Sequence, residues 1–229
     1  MTNAFARWPQ LAPQARTKAV SLALSRRDMT RALLKAVEQG NIARTELTAA
    51  DIQRLTTQKD SALRDQARTI FQRDNSTRSD VVKKFRPALD LQGNAARGHA
   101  IYQQRCVTCN RAGGEGFSIG PDLASVANNG KEKLLTSILD PSAEVAAAYV
   151  AYSVETKGGE SFVGVLASEN PLSVMLKIPN GEMPRFTHEN ISSMRASDKS
   201  LMPDGLEEGL STQDAADLLE FVTQAKPAP

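Results

Sequence analysis

The sequence predicts a mainly α fold with a small antiparallel β-sheet set into its second half. Three observations predict it. Apolar residues recur three and four apart through residues 10–75 and again near the C-terminus; the pattern changes to alternation between about 149 and 195; and Gly-Gly and Asn-Gly stand at the corners of that alternating region. With 229 residues, 41% of them apolar and 24% charged, the chain has the proportions of a folded protein with room for two domains.

The first domain is expected over residues 1–75. TKAVSLALS and MTRALLKAVEQG each carry an apolar face, and Gly40-Asn41 supplies a stop. In LTAADIQRL, Thr48 is a helix cap with Asp51 three residues on. DSALRDQARTIF opens at Asp60 and gathers Leu63, Ala67, Ile70 and Phe71 on one face. These paired amphipathic helices suit either a short α-solenoid or a small helical bundle. From Arg73 the chain turns polar through RDNSTRSD, where a boundary is expected. Asn75-Ser76-Thr77 fits a glycosylation triplet, a pattern that also arises often by chance. A linker at 76–90 contains VVKKFRPALDL, a helix broken by Pro87.

The second domain is expected over 91–229. Asn94 caps AARGHAIYQQ, which runs into RCVTCN; the glycine-rich RAGGEGFSIGPDL is a loop, and KEKLLTSILDP is a helix ended by Pro141. YVAYSVET, SFVGVLA, LSVMLKI and a last segment ending near ISSMR read as hairpins turned at Gly158-Gly159 and Asn180-Gly181. SLMPDGLEEGL leads into TQDAADLLEFVTQ, whose Leu218, Leu219, Phe221 and Val222 are expected to cover the domain's first helix. Glu207-Glu208 and Asp214-Asp217 are expected to face water near the start of that last helix, where they suit its dipole.

Composition narrows the function. A formal charge of +2 and 5% aromatic residues offer neither a phosphate-tracking surface nor a base-stacking platform, so nucleic acid is not an expected partner. No apolar run approaches the roughly 18 to 20 residues that span a bilayer. The N-terminal MTNAFARWPQLAPQARTK lacks a charged head followed by an apolar core, so it does not read as an export signal. Either the chain is cut from a longer exported protein, or it stays inside with its two cysteines as thiols.

Those cysteines carry the chemistry. In RCVTCN, Cys106 and Cys109 have the spacing that reaches the two vinyl groups of a haem, and the next residue is then placed beneath the iron. Histidine is the expected occupant; here it is Asn110. A thioether from far along the chain commonly closes the opposite face as a soft ligand, and Met202 in the proline-fixed SLMPDGL is placed for that role, against plain packing as the default for a methionine. His99 lies seven residues before Cys106, about 10 Å along a helix, and both it and His188 are expected to be surface or packing residues. Other chemistries stay open at this point. A zinc site would need Cys106, Cys109, His99 and His188 together, and a dithiol oxidoreductase would need CVTC to start a helix after a strand. Ser161, His188 and Asp198 are residue types of a hydrolytic triad, without a nucleophile-elbow pattern around them.

In order, ARGHAIYQQRCVTCN, GPDLASVA, ILDPSAEV, YVAYSVETKGGESFVGVL, SLMPDGLEEGL and DAADLLEFV resemble the haem-binding c-type cytochrome domain of planctomycete and verrucomicrobial proteins over residues 91–225. The resemblance implies a cytochrome c-like helical domain with an inserted β-sheet at about 149–195, preceded by HEAT-like helical repeats. It implies covalent haem c on Cys106 and Cys109, Met202 as a ligand to the iron, and Gly120-Pro121 as the loop whose carbonyl orients the residue after the second cysteine. Gly98 and Tyr102 would pack against the last helix near Phe221. Implied partners are a dehydrogenase and a respiratory electron-transfer protein, in the periplasm, with the chain acting as an electron carrier and not as a catalyst. Asn110 departs from the family's histidine: a carboxamide is a poor iron ligand, although its NH₂ can donate to the Pro121 carbonyl and keep the loop in place. The alternative is a cytochrome-fold scaffold that binds a protein partner without haem.

Overall fold

A computed structural model describes residues 5–72, 78–179 and 181–226. The Asn75-Ser76-Thr77 triplet and Asn180 of the Asn-Gly corner lie outside the described residues. Two compact units are assembled from interleaved stretches of chain: the first from Met1–Asn75, Val145–Leu176 and Met183–Lys199, the second from Ser76–Glu144, Lys177–Glu182 and Ser200–Pro229.

The first unit begins with a 3-10 turn at Trp8–Gln10, followed by α1 (Pro13–Ala23), α2 (Arg27–Glu38), α3 (Ala49–Thr57) and α4 (Ser61–Gln72). α3 starts where its cap dictates: the Asp51 N–H donates to Thr48 Oγ1 at 3.1 Å, and the Thr48 N–H donates back to Asp51 Oδ2 at 3.0 Å. Asp60 likewise opens α4, accepting from the Leu63 N–H at 3.2 Å. The expected face of α4 is inward, with Leu63, Ala67 and Phe71 buried beside Leu33, Leu34 and Leu55.

The sheet of this unit is built from β1 (Ala151–Thr156), β2 (Ser161–Glu169), β3 (Ser173–Lys177), β4 (Arg185–Thr187) and β5 (Ile191–Ala196), in the order β4-β3-β2-β1-β5. Gly159 turns the first hairpin with φ +86°, a conformation that other residues adopt only with strain. Register places Val154 between Phe162 on β2 and Met194 on β5, and Val174 opposite Phe186. Val154, Val174, Leu176, Phe186 and Met194 are all buried, and the rings of Phe162 and Phe186 meet at 4.8 Å.

The expectation of a mainly α chain is corrected here. Helix accounts for 47% and strand for 14%, and a five-stranded antiparallel sheet makes the architecture mixed α and β. The sheet is also not confined to the unit that bears the cysteines; most of it groups with the N-terminal helices. One buried clasp explains why. The Arg16 side chain on α1 donates to Glu46 Oε1 at 2.7 Å, to the Leu11 carbonyl at 2.9 Å and to the Met194 carbonyl on β5. Trp8 Nε1 completes the set by donating to Glu46 Oε2 at 2.8 Å. Arg16 and Glu46 side chains are only 3% and 4% exposed, so these bonds form away from competing water. Burial here, with the Glu46 charge second, pushes the Tyr152 hydroxyl up to about 12. Partners so far apart in sequence leave no local pattern to read.

The second unit contains α5 (Ser79–Phe85), α6 (Ala95–Arg105), α7 (Leu123–Val126), α8 (Lys131–Leu139) and α9 (Thr212–Thr223). α5 stops where Pro87 enters a 3-10 turn at Arg86–Leu89. Asn94 caps α6 by accepting from the Arg97 N–H at 3.1 Å, and Ser211 caps α9 with Asp214 in a reciprocal box. α6 and α9 cross at Gly98, where an added Cβ would lie 2.0 Å from the Asp217 carbonyl oxygen and 2.8 Å from Phe221 Cβ. Only the absent side chain lets the two backbones approach this closely. Tyr102 packs on Phe221 at 5.2 Å beside that crossing.

Asp217 does not face water. Its side chain is 0% exposed and accepts from Arg97 Nε at 2.5 Å, the Asn94 N–H at 2.7 Å and Gln213 Nε2 at 2.9 Å. Glu207, also expected at the surface, is turned inward and paired with Arg78.

Candidate functional site

The cysteine segment grows out of the C-terminus of α6. Cys106 is the residue that ends the helix, its N–H donating to the Tyr102 carbonyl at 2.8 Å. Its own carbonyl accepts from the N–H groups of Cys109 and Asn110 at 3.0 and 2.8 Å, a tight turn that carries the second thiol around. The glycine-rich segment then folds back: the Cys109 carbonyl accepts from Ile119 and Gly120, and the Val107 carbonyl from Phe117. Tyr102 Oη sits between the carbonyls of Asn110 and Glu115 at 2.9 and 3.1 Å. Gly116, at φ +84°, passes so near that a Cβ there would lie 2.3 Å from the Asn110 carbonyl oxygen.

Asn110 closes the loop. Its Nδ2 donates to the Pro121 carbonyl at 3.0 Å, and a Cβ at Gly120 would stand 2.5 Å from that same nitrogen. Cys106, Cys109, Asn110 and Pro121 are thus held together by one short network. Met202 is elsewhere in this unit: half-buried in its loop, it donates its N–H to Ser200 Oγ at 3.2 Å.

Beside Cys106 lies a narrow apolar cleft that encloses about 20 Å³, room for about one water molecule, and opens to solvent. Phe85 from α5, Leu135 and Ile138 from α8, and Leu218 and Leu219 from α9 form much of its wall. Arg105, Cys106, Leu206 and Glu207 also line it, whereas Cys109 and Met202 are not part of the wall. Burial, followed by the nearby Cys109, pushes the Cys106 thiol up to about 11. It is therefore neutral near pH 7, and the C-terminal end of a helix is the wrong end to favour a thiolate. That environment opposes a redox-active dithiol.

The remaining candidates have other partners. His99 Nε2 is 3.0 Å from Glu115 Oε2, with its ring against Phe221 at 5.1 Å. His188 Nε2 is 3.0 Å from the Asn170 carbonyl oxygen. Among the described residues no group of three or more His, Cys, Asp or Glu side chains is assembled to hold a metal ion, so the four-residue zinc set is not gathered. Asp198 accepts from the Arg44 N–H, and no contact joins it to His188 or Ser161 among the described interactions.

Sequence reading missed Glu207 and Arg78 as members of this site. Arg78 donates through Nε to the Leu139 carbonyl and through Nη2 to Glu207 Oε1. The pair is 129 residues apart in sequence, and an acidic doublet before a helix carries no mark of burial. No family model matches the chain, and no curated protein is similar to it. Among the described residues no helix is long and apolar enough to cross a membrane.

Proposed function

We propose that the second unit is a cytochrome c-like domain that carries haem c on Cys106 and Cys109 and serves as a one-electron carrier. The observation that supports this reading is the apolar cleft with Cys106 in its wall. The cleft as it stands encloses only about 20 Å³, too little for a porphyrin, so the reading rests on the Cys106–Cys109 spacing and the apolar wall beside it. One oxygen in that wall, Glu207 Oε2, is buried without a hydrogen-bond partner. Bound haem would supply a one-electron couple.

The chain's own residues account for the rest. Cys106 and Cys109 would hold the group covalently as thioethers. Leucine and isoleucine from α8 and α9 exclude water from the cleft and so lower the local dielectric. Asn110 keeps the 106–121 loop closed through Pro121 without lending an imidazole to the iron. A dehydrogenase as electron donor, a respiratory protein as acceptor and a periplasmic site belong to the same proposal.

One observation favours the alternative, a haemless module that binds a protein partner: the Asn110–Pro121 bond holds the loop shut with no iron ligand present in it. The two readings part on expression with an export signal in a host that matures c-type cytochromes. The carrier reading expects a pyridine haemochrome that stays with the polypeptide through acid-acetone extraction, and more haem per chain in Asn110→His. A colourless, folded protein selects the scaffold.

A further inference from the structure

We propose that Asn129 is a site of spontaneous backbone modification. The Gly130 nitrogen attacks its carboxamide carbon, giving a succinimide and then an aspartyl or isoaspartyl residue at the head of α8. The inference does not depend on haem. Two Asn-Gly pairs occur in the sequence, Asn129-Gly130 and Asn180-Gly181, and Asn180 lies outside the described residues.

Asn129 ends a 3-10 turn at Ala127–Asn129, and Gly130 is the residue that precedes α8. Both are exposed. Among the described residues, neither the Gly130 N–H nor the Asn129 carboxamide has a hydrogen-bond partner. The asparagines nearest in sequence to the cysteines are tied down by contrast: Asn94 caps α6, and Asn110 donates to the Pro121 carbonyl. Gly130 takes φ +85°, and a Cβ built there would meet nothing within 4 Å. The space around the attacking nitrogen is therefore open, and glycine brings no side chain of its own to obstruct ring closure. No side-chain cap holds this end of α8.

The step needs only water. As pH rises, the Gly130 nitrogen loses its proton to hydroxide and bonds to Asn129 Cγ; the Cγ–Nδ2 bond breaks, and the nitrogen takes up a proton and leaves as ammonia. Water then opens the five-membered ring. Addition at Cγ restores the original chain with an aspartate. Addition at the α-carbonyl breaks the original peptide bond, and the chain runs on through the side chain as isoaspartate, one methylene longer. Either product places a new negative charge just ahead of α8. Only isoaspartate lengthens the path from the turn to Lys131, whose Nζ donates to Glu220 Oε2 on α9 at 2.6 Å.

The test incubates the full chain for days at pH 5 and at pH 8 and maps its tryptic peptides by mass spectrometry. Asn129 and Asn180 fall in different peptides, ending at Lys131 and Arg185, and fragmentation separates Asn129 from Asn128. Asn128 is equally exposed but is followed by an asparagine, so it is the internal control for exposure. Exchange of NH₂ for OH should run about tenfold or more faster at Asn129 than at Asn128, because only Asn129 has a neighbour without a Cβ. It should be faster at pH 8 than at pH 5. The peptide ending at Lys131 should accept labelled methyl groups from S-adenosylmethionine and a protein isoaspartyl methyltransferase, and that labelling should vanish in Asn129→Gln. An Asn129 that stays intact, that reacts no faster than Asn128, or whose peptide takes no label overturns the proposal.

Discussion

At the scale of single residues, Asn110 and Cys106 set the character of the cysteine segment. The carboxamide reaches the Pro121 carbonyl at 3.0 Å, so the loop has a lock that depends on hydrogen bonding and not on metal. Replacing Asn110 with Ala should cost about 0.5 to 1.5 kcal/mol for that bond, read as a lower midpoint in urea unfolding followed by a probe in the second unit. In the haem-free chain, Cys106 should alkylate slowly at pH 8. Its rate should climb with pH toward a midpoint of about 11, because burial disfavours the thiolate; a rate that levels off near the ordinary thiol value would contradict that burial. Cys106, Cys109, Asn110 and Pro121 were legible because sixteen consecutive residues contain the whole network. Glu207 was not, since its burial depends on Arg78, 129 residues earlier. Asp217 escaped for the same reason, with Arg97 120 residues away.

At the scale of elements, the α6–α9 crossing carries the second unit. Alanine at Gly98 would gain about 1 kcal/mol of helix propensity. A Cβ placed 2.0 Å from the Asp217 carbonyl must push the backbones apart, a penalty of about 1 to 3 kcal/mol or more. The clash should therefore win, and Gly98→Ala should lower the thermal midpoint. The same crossing gives a pH dependence. The Arg97 guanidinium holds the Asp217 carboxyl below its ordinary value. A depressed carboxylate contributes stability above its unfolded pKa of about 3.9 and loses it as pH falls through the lower folded value. Asp217→Asn should accordingly be less stable at pH 7 and show a flatter loss of stability below about pH 4; an acid limb as steep as wild type would exclude Asp217 from this role. Helix starts were readable wherever a cap is local, as at Thr48, Asp60 and Asn94. Strand existence was readable from alternation and from Gly158-Gly159, yet three-residue β4 is too short to show a period. What the strands pack against was not readable, because Arg16 reaches Met194 across 178 residues.

For the molecule as a whole, the interleaving of the chain matters most. Each unit draws on separated stretches, so neither can be isolated by cutting once. A truncated chain of residues 91–229 would keep the strands and lose Arg16, Glu46 and Trp8, leaving the β5 carbonyl of Met194 without its donor. Such a fragment should aggregate or expose its strands, whereas the full chain should not. Within the first unit the buried pair itself should be sensitive: Glu46→Gln leaves Arg16 buried with an uncompensated charge, a loss of about 3 to 5 kcal/mol seen as a lower midpoint of the first unit's unfolding. The central claim, that the cleft beside Cys106 is a haem site, is tested most directly by the intact mass of the exported, matured protein. The account predicts a gain of one haem per chain, abolished in Cys106→Ala/Cys109→Ala; an unmodified mass from a folded, exported chain would contradict it.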